Sequence, residues 1–200
     1  MKSKIDLAKF DPRRLAFYEK ENYVAYYRKR WLRLLFVSVA MVKEAYQLSW
    51  PQAVYAAYLV ARAEMAAAPF PNNDIPRAEA YMRRLFQFLK RLYAFQFNVA
   101  AAAHQEVNWW VVHRRLFAQE NNQALIDALA EALSAFLGKP AQVFRDAAVL
   151  RARGILYSDQ WVRSGMEASS PLLPLEEEAL CSGYSRLRDT LLADGVGPEI

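Results

Sequence analysis

Apolar residues recur at helical spacing along almost the whole chain, and no stretch reads as a strand. The pattern predicts an all-α fold, a single antiparallel bundle of seven to eight helices spanning residues 1–200. Asp11-Pro12 pairs a capping residue with a proline at the first helical position, so the first helix starts there. Its pattern runs to about Leu48, with a break expected near Asn22. Ser49-Trp50-Pro51-Gln52 has the spacing of a capping box and opens a second helix to about Ala68. Asp74 and Pro76 open a third, which continues through RRLFQFLKRLYAF. Asn98 caps a fourth from Val99 to Gln119. Residues 123–137 form a fifth, stopped by Gly138. Pro140 starts a sixth to about Arg163, with a kink expected at Gly154. Residues 164–174 read as a linker. The acids of LEEE then sit in the first turn of a last helix, at the positive end of its dipole. The ends, 1–11 and 194–200, are expected to be flexible. The helices over 12–48, 49–68 and 99–119 are expected to be central.

Composition sharpens this picture. The chain is 54% hydrophobic and 14% aromatic, high for a soluble domain. The excess calls for a thick core, a ligand cavity or a homodimer interface, the last because several helices are apolar on more than one side. With Cys181 as the only cysteine, no disulfide framework arises within the chain. The N-terminal residues lack the apolar core of a signal peptide, and both features predict a cytoplasmic protein. The apolar run from Leu34 to Val42 falls far short of the roughly 20 residues a membrane span needs.

Charge is uneven: residues 1–33 carry ten Lys/Arg against four Asp/Glu, and residues 158–200 carry three against eight. The net charge of +5 is too diffuse to imply nucleic acid. Residues 12–60 contain no glycine, which argues against a helix-turn-helix.

Candidate chemistry concentrates in AHQEVNWWVVHRR, residues 103–115, which holds both histidines. At 100° per residue, His104 and His113 point in opposite directions. The spacings of helical metal motifs, histidines four apart or Glu-x-x-His, do not occur, so no metal ligands are assigned. Glu106 and His113 do share a side, with Trp109 and Trp110. They are separated by about 10.5 Å of helix rise, so each is expected to find its own partner across the bundle.

Three other acids interrupt helical faces. Glu64 lies on a stripe of small residues and must be buried or at a seam. Glu44 reads as a solvated helix end, and Asp159 as partly buried beside Leu156 and Val162. Arg151 and Arg153 are expected to pair with acids near them in sequence. Glu44, Glu64, Glu106, His113 and Asp159 would form a metal site only if the fold brought them together.

The segment Tyr23–Arg33 interleaves aromatic and basic residues, which suits a helix with a solvated basic side or one lying on an anionic membrane. Gly-rich phosphate loops and a GxSxG elbow are absent.

The sequence thus predicts a non-enzymatic protein that binds an apolar ligand or a protein partner, with Trp109, Trp110, Tyr55 and Tyr58 lining the site and His113 and Glu106 orienting the ligand. The competing expectation is an enzyme in which His113 is the base and Glu106, Glu64 or Asp159 supply the acids. The sequence leaves the cofactor unknown.

Overall fold

The computed structural model describes residues 7–69, 71–93 and 96–193. These form eight α-helices: α1 Pro12–Tyr27, α2 Trp31–Ala45, α3 Trp50–Ala67, α4 Ile75–Tyr93, α5 Val99–Arg115, α6 Gln123–Leu137, α7 Arg145–Arg163 and α8 Leu172–Ala193. Short 3-10 turns, Leu7–Lys9 and Ala141–Phe144, precede α1 and α7. There is no strand among the described residues, and the fold is an all-α helical bundle.

Helix starts follow local capping chemistry. The Asp11 carboxylate accepts the Arg13 and Arg14 N–H groups, and Asn98 accepts those of Ala100 and Ala101. The Ser49 N–H donates to Gln52 Oε1 at 3.0 Å, closing the capping box. Asp74 receives the Arg77 N–H at 3.1 Å. Gly138, at φ +72°, ends α6 in the left-handed region where a glycine carries no Cβ penalty.

Several expected boundaries move. The first long helix breaks at Arg28–Arg30 rather than near Asn22, with Lys29 at φ +56°. The expected fourth helix ends at Arg115, short of Gln119, and Ala118 takes φ +57°. Pro140 leads into the 3-10 turn, so α7 starts only at Arg145. The helix is continuous through Gly154, where a kink was expected. The linker is shorter than expected because α8 begins at Leu172, with Pro174 tolerated in its first turn. Residues 7–11 are anchored: Phe10 is buried, with its ring edge-on to Tyr184. The remaining expected loose ends, 1–6 and 194–200, lie outside the described residues.

Each helix packs on the next, and α8 returns to pack on α1. The chain therefore closes into a ring. No helix occupies the middle, contrary to the expectation of central helices. The middle is instead a cavity of about 400 Å³ that all eight helices line.

The tightest part of the ring is the seam between α7 and α8. A Cβ at Gly183 would meet the Arg151 backbone N at 3.1 Å and the Ala147 O at 3.2 Å. Backbone cannot swing aside as a side-chain tip can. Gly183→Ala is therefore expected to lower stability by about 1–3 kcal/mol, whereas Leu32→Ala at a surface position shifts it by less than about 0.5 kcal/mol. Urea melts of the two variants check this; equal midpoints would contradict the close-packed seam.

Candidate functional site

The cavity is mostly apolar, with Leu15, Met41, Met82, Phe86, Leu129 and Phe136 among its walls, and it has a charged pole. Along α1 the residues facing it are Leu15, Glu19, Asn22, Tyr23 and Tyr26, which recur at helical spacing. A stripe that would ordinarily be apolar is thus largely polar. Glu19 meets Arg151 of α7, with its Oε1 2.9 Å from a terminal guanidinium nitrogen and 3.2 Å from Nε. The Tyr184 hydroxyl of α8 donates to the other oxygen of Glu19. The guanidinium lies over the Trp109 ring, 5.0 Å from its centroid. Burial alone would pull Arg151 down, but Glu19, Tyr184 and Glu106 around it hold it charged, above its ordinary value.

Glu106 projects from α5 toward the same pole and accepts the Trp109 indole N–H at 2.9 Å. Burial pushes its carboxyl up, opposed by Arg151 and by the hydrogen bonds of Trp109 and Trp110. Glu64 of α3 also lines the cavity. It is exposed by surface area although many protein atoms surround it, because the surface it exposes borders the cavity. Desolvation, and then the charge of Glu106, push it up to about 7. Among the described residues its carboxylate receives no hydrogen bond and pairs with no cation.

A second polar set lies beside this pole. His113 Nε2 is 3.0 and 3.1 Å from the two oxygens of Asp159. The same carboxylate accepts the Tyr23 hydroxyl and, at 2.9 Å, the Ala118 N–H. Asp159 is fully buried, not partly, and each of its oxygens has donors. Burial and the neighbouring Asp159 raise the Tyr23 hydroxyl far above its ordinary value, so it stays a donor.

Glu106 and His113 therefore do find separate partners, and both lie on α7, at Arg151 and Asp159. Trp109 and Trp110 line the cavity with them. Tyr55 and Tyr58 do not. They sit on the outer face of α3, where Tyr55 is edge-on to Phe88 and Tyr58 accepts a hydrogen bond from Arg62. His104 is at the surface, 2.8 Å from Glu79. Glu44 is not a solvated helix end: it receives the Asp11 N–H at 2.8 Å and holds the start of α1. Of the five residues that a metal site would have needed, His113 meets Asp159 and Glu64 lies within electrostatic reach of Glu106, while Glu44 is engaged at the start of α1. No group of three His, Cys, Asp or Glu able to hold a metal ion forms among the described residues.

Three residues escaped the sequence reading. Glu19 follows Leu15 and Ala16 at helical spacing, so its place on a buried stripe was visible. Tyr184 carried no such signal. Glu176, expected as a first-turn acid at the positive end of the helix dipole, is 1% exposed, and its Oε2 has no hydrogen-bond partner. Desolvation pushes it up to about 8, against a hydrogen bond from Ser158.

No family model, curated protein or solved structure matches the chain.

Glu176 gives the protein a pH signature. Its folded value exceeds the ordinary 4.5, so the folded state holds the extra proton between about 4.5 and about 8. Stability from this group is full below that window and falls as pH rises through it. Glu64 acts in the same sense up to about 7. Thermal melts from pH 5 to 9 are expected to show this decline, and Glu176→Gln, which keeps the neutral shape, is expected to flatten it. An unchanged slope in the variant would contradict the buried neutral acid.

Proposed function

We propose that the protein binds a small amphipathic molecule in the central cavity, its apolar body among the aliphatic and aromatic walls and a cationic head beside Glu64 and Glu106. The observation that carries this reading is Glu64, a cavity-facing carboxylate with no cation of its own among the described residues. Glu19 answers Arg151, and Arg114, the other cation lining the cavity, acts on Tyr27 and not on Glu64. Glu64 and Glu106 line the same space as Trp109 and Trp110, where an ammonium group would meet both carboxylate charge and ring faces. A volume of about 400 Å³ is in the range of small-ligand sites. Mostly apolar walls with a few converging polar groups are the usual makeup of such sites.

Calorimetric titration with octyltrimethylammonium and with octanol tests this. The ammonium is expected to bind one to one and at least about tenfold tighter than the alcohol, the equivalent of one 1.4 kcal/mol step. Its affinity should weaken as pH falls below about 7, where Glu64 takes up a proton. Glu64→Gln should reduce both the preference and the pH dependence, with the remainder carried by Glu106. Equal binding of the two compounds, or an indifferent variant, would defeat the cationic-head reading.

Catalysis is a second reading, favoured by one observation: His113 lines the cavity with a buried carboxylate behind it, the arrangement of a general base. His113→Gln separates the two. A purely structural His113 predicts a lower melting temperature and affinity that falls with it. A catalytic one predicts a folded protein that still binds but no longer converts a bound compound, as followed by mass spectrometry of the products.

A further inference from the structure

The outer face of α3 is unusual for a surface helix. Trp50, Val54, Tyr55, Tyr58 and Met65 fall on one side of it and are 46–69% exposed. Helix α2 packs on α3 and begins with Trp31, Leu32, Leu35 and Phe36, which are 59–87% exposed. An outward helix face is ordinarily charged, and large apolar patches on soluble monomers mark sites of association.

Charge narrows the occupant. Between Asn22 and Ala63 the chain carries six cations, Arg28, Lys29, Arg30, Arg33, Lys43 and Arg62, and one acid, Glu44. That acid is consumed at the start of α1. Arg28 is held by the Met166 carbonyl and the Trp161 ring, and Arg33 by Glu21. Lys43 lies over the Trp50 ring and Arg62 over those of Tyr58 and Tyr81. Lys29 and Arg30 are exposed at the turn before Trp31 and have no acidic partner among the described residues. Among the described residues between Asn22 and Ala63 the face is thus apolar and aromatic, with cations and with its one acid, Glu44, engaged elsewhere.

We infer that the α2–α3 face docks the protein onto an anionic phospholipid surface. Leucines, tryptophans and tyrosines enter the headgroup boundary there, while basic side chains reach the phosphates. Exposed aliphatic residues such as Leu32 and Leu35 gain nothing from stacking on nucleobases, which sets this face apart from a single-strand nucleic-acid groove. A second copy would set the same cations against each other across a twofold interface. The attachment is peripheral, since no helix among the described residues is long and apolar enough to cross a membrane. The inference does not depend on what the cavity holds.

The test is co-sedimentation of the full chain with phosphatidylcholine vesicles, with and without phosphatidylglycerol. Binding is expected to the anionic vesicles and not to phosphatidylcholine alone, and to fall as salt is raised. Leu32→Glu with Leu35→Glu, both at exposed positions, should reduce it at least about tenfold at an unchanged melting temperature. Lys29→Glu with Arg30→Glu should weaken it as well. No binding to anionic vesicles at low salt would overturn the inference, as would a double leucine variant that binds normally. So would a wild-type dimer in light scattering that the leucine variant dissociates, which would assign the face to a second copy. Retention on immobilised polyglutamate without vesicle binding would assign it to an acidic protein and overturn it equally.

Discussion

A guanidinium enclosed by protein is the constraint around which this bundle is arranged. Arg151 reaches into the central space, where a cation without a counter-charge would be heavily penalised. Glu19 and Tyr184 answer it from α1 and α8, so one electrostatic requirement joins the first helix, the seventh and the last. That is also where the ring of helices closes. Removing one partner of a fully buried pair costs about 3–5 kcal/mol; Arg151 and Glu19 are partly exposed to the cavity, so their pair lies below that range. The pair also fixes the polarity of the cavity. Arg151 also draws on the charge of Glu106, so Glu64 is the acid lining that space on which no cation acts among the described residues.

Asp159 organises a neighbouring region by the same logic. Its carboxylate collects the Tyr23 hydroxyl, the His113 ring and the Ala118 backbone. The three donors come from α1, from α5 and from the loop after α5. Ala118 holds a left-handed conformation that costs a residue with a Cβ about 1–2 kcal/mol. Its N–H bond to Asp159 offsets part of that. A polar residue on an apolar face thus sets where a helix stops.

What was legible in the sequence was local. Asp11, Ser49 with Gln52, Asp74, Asn98 and Gly138 act on backbone groups within a few residues, so their positions announced helix ends. The missed ends share a cause. Lys29, Gln47, Ala118 and Met166 all take positive φ without being glycine, and no composition signal marks such a residue. The polar residues worth watching were also visible: Glu64, Glu106, His113 and Asp159 stood out on helical faces. Their partners were not. Arg151 was expected to pair with a neighbour but meets Glu19 132 positions away, a choice made by ring closure and not by spacing. Tyr55 and Tyr58 were read as lining residues because aromatic content alone does not say whether a face points to the cavity or to the outside.

The glycine seam between α7 and α8 has a mechanical consequence. Gly183 brings two backbones into contact, and Gly154 lets Leu180 settle against α7. This wall has little free volume to give up. The opposite arc, from α1 through α5, borders the open space of the cavity along Asn22, Met41, Val60, Met82 and Trp110. Compressibility is therefore unevenly distributed around the ring. A molecule entering the centre would displace the yielding arc and leave the seam in place, and hydrostatic pressure would be taken up on the same side.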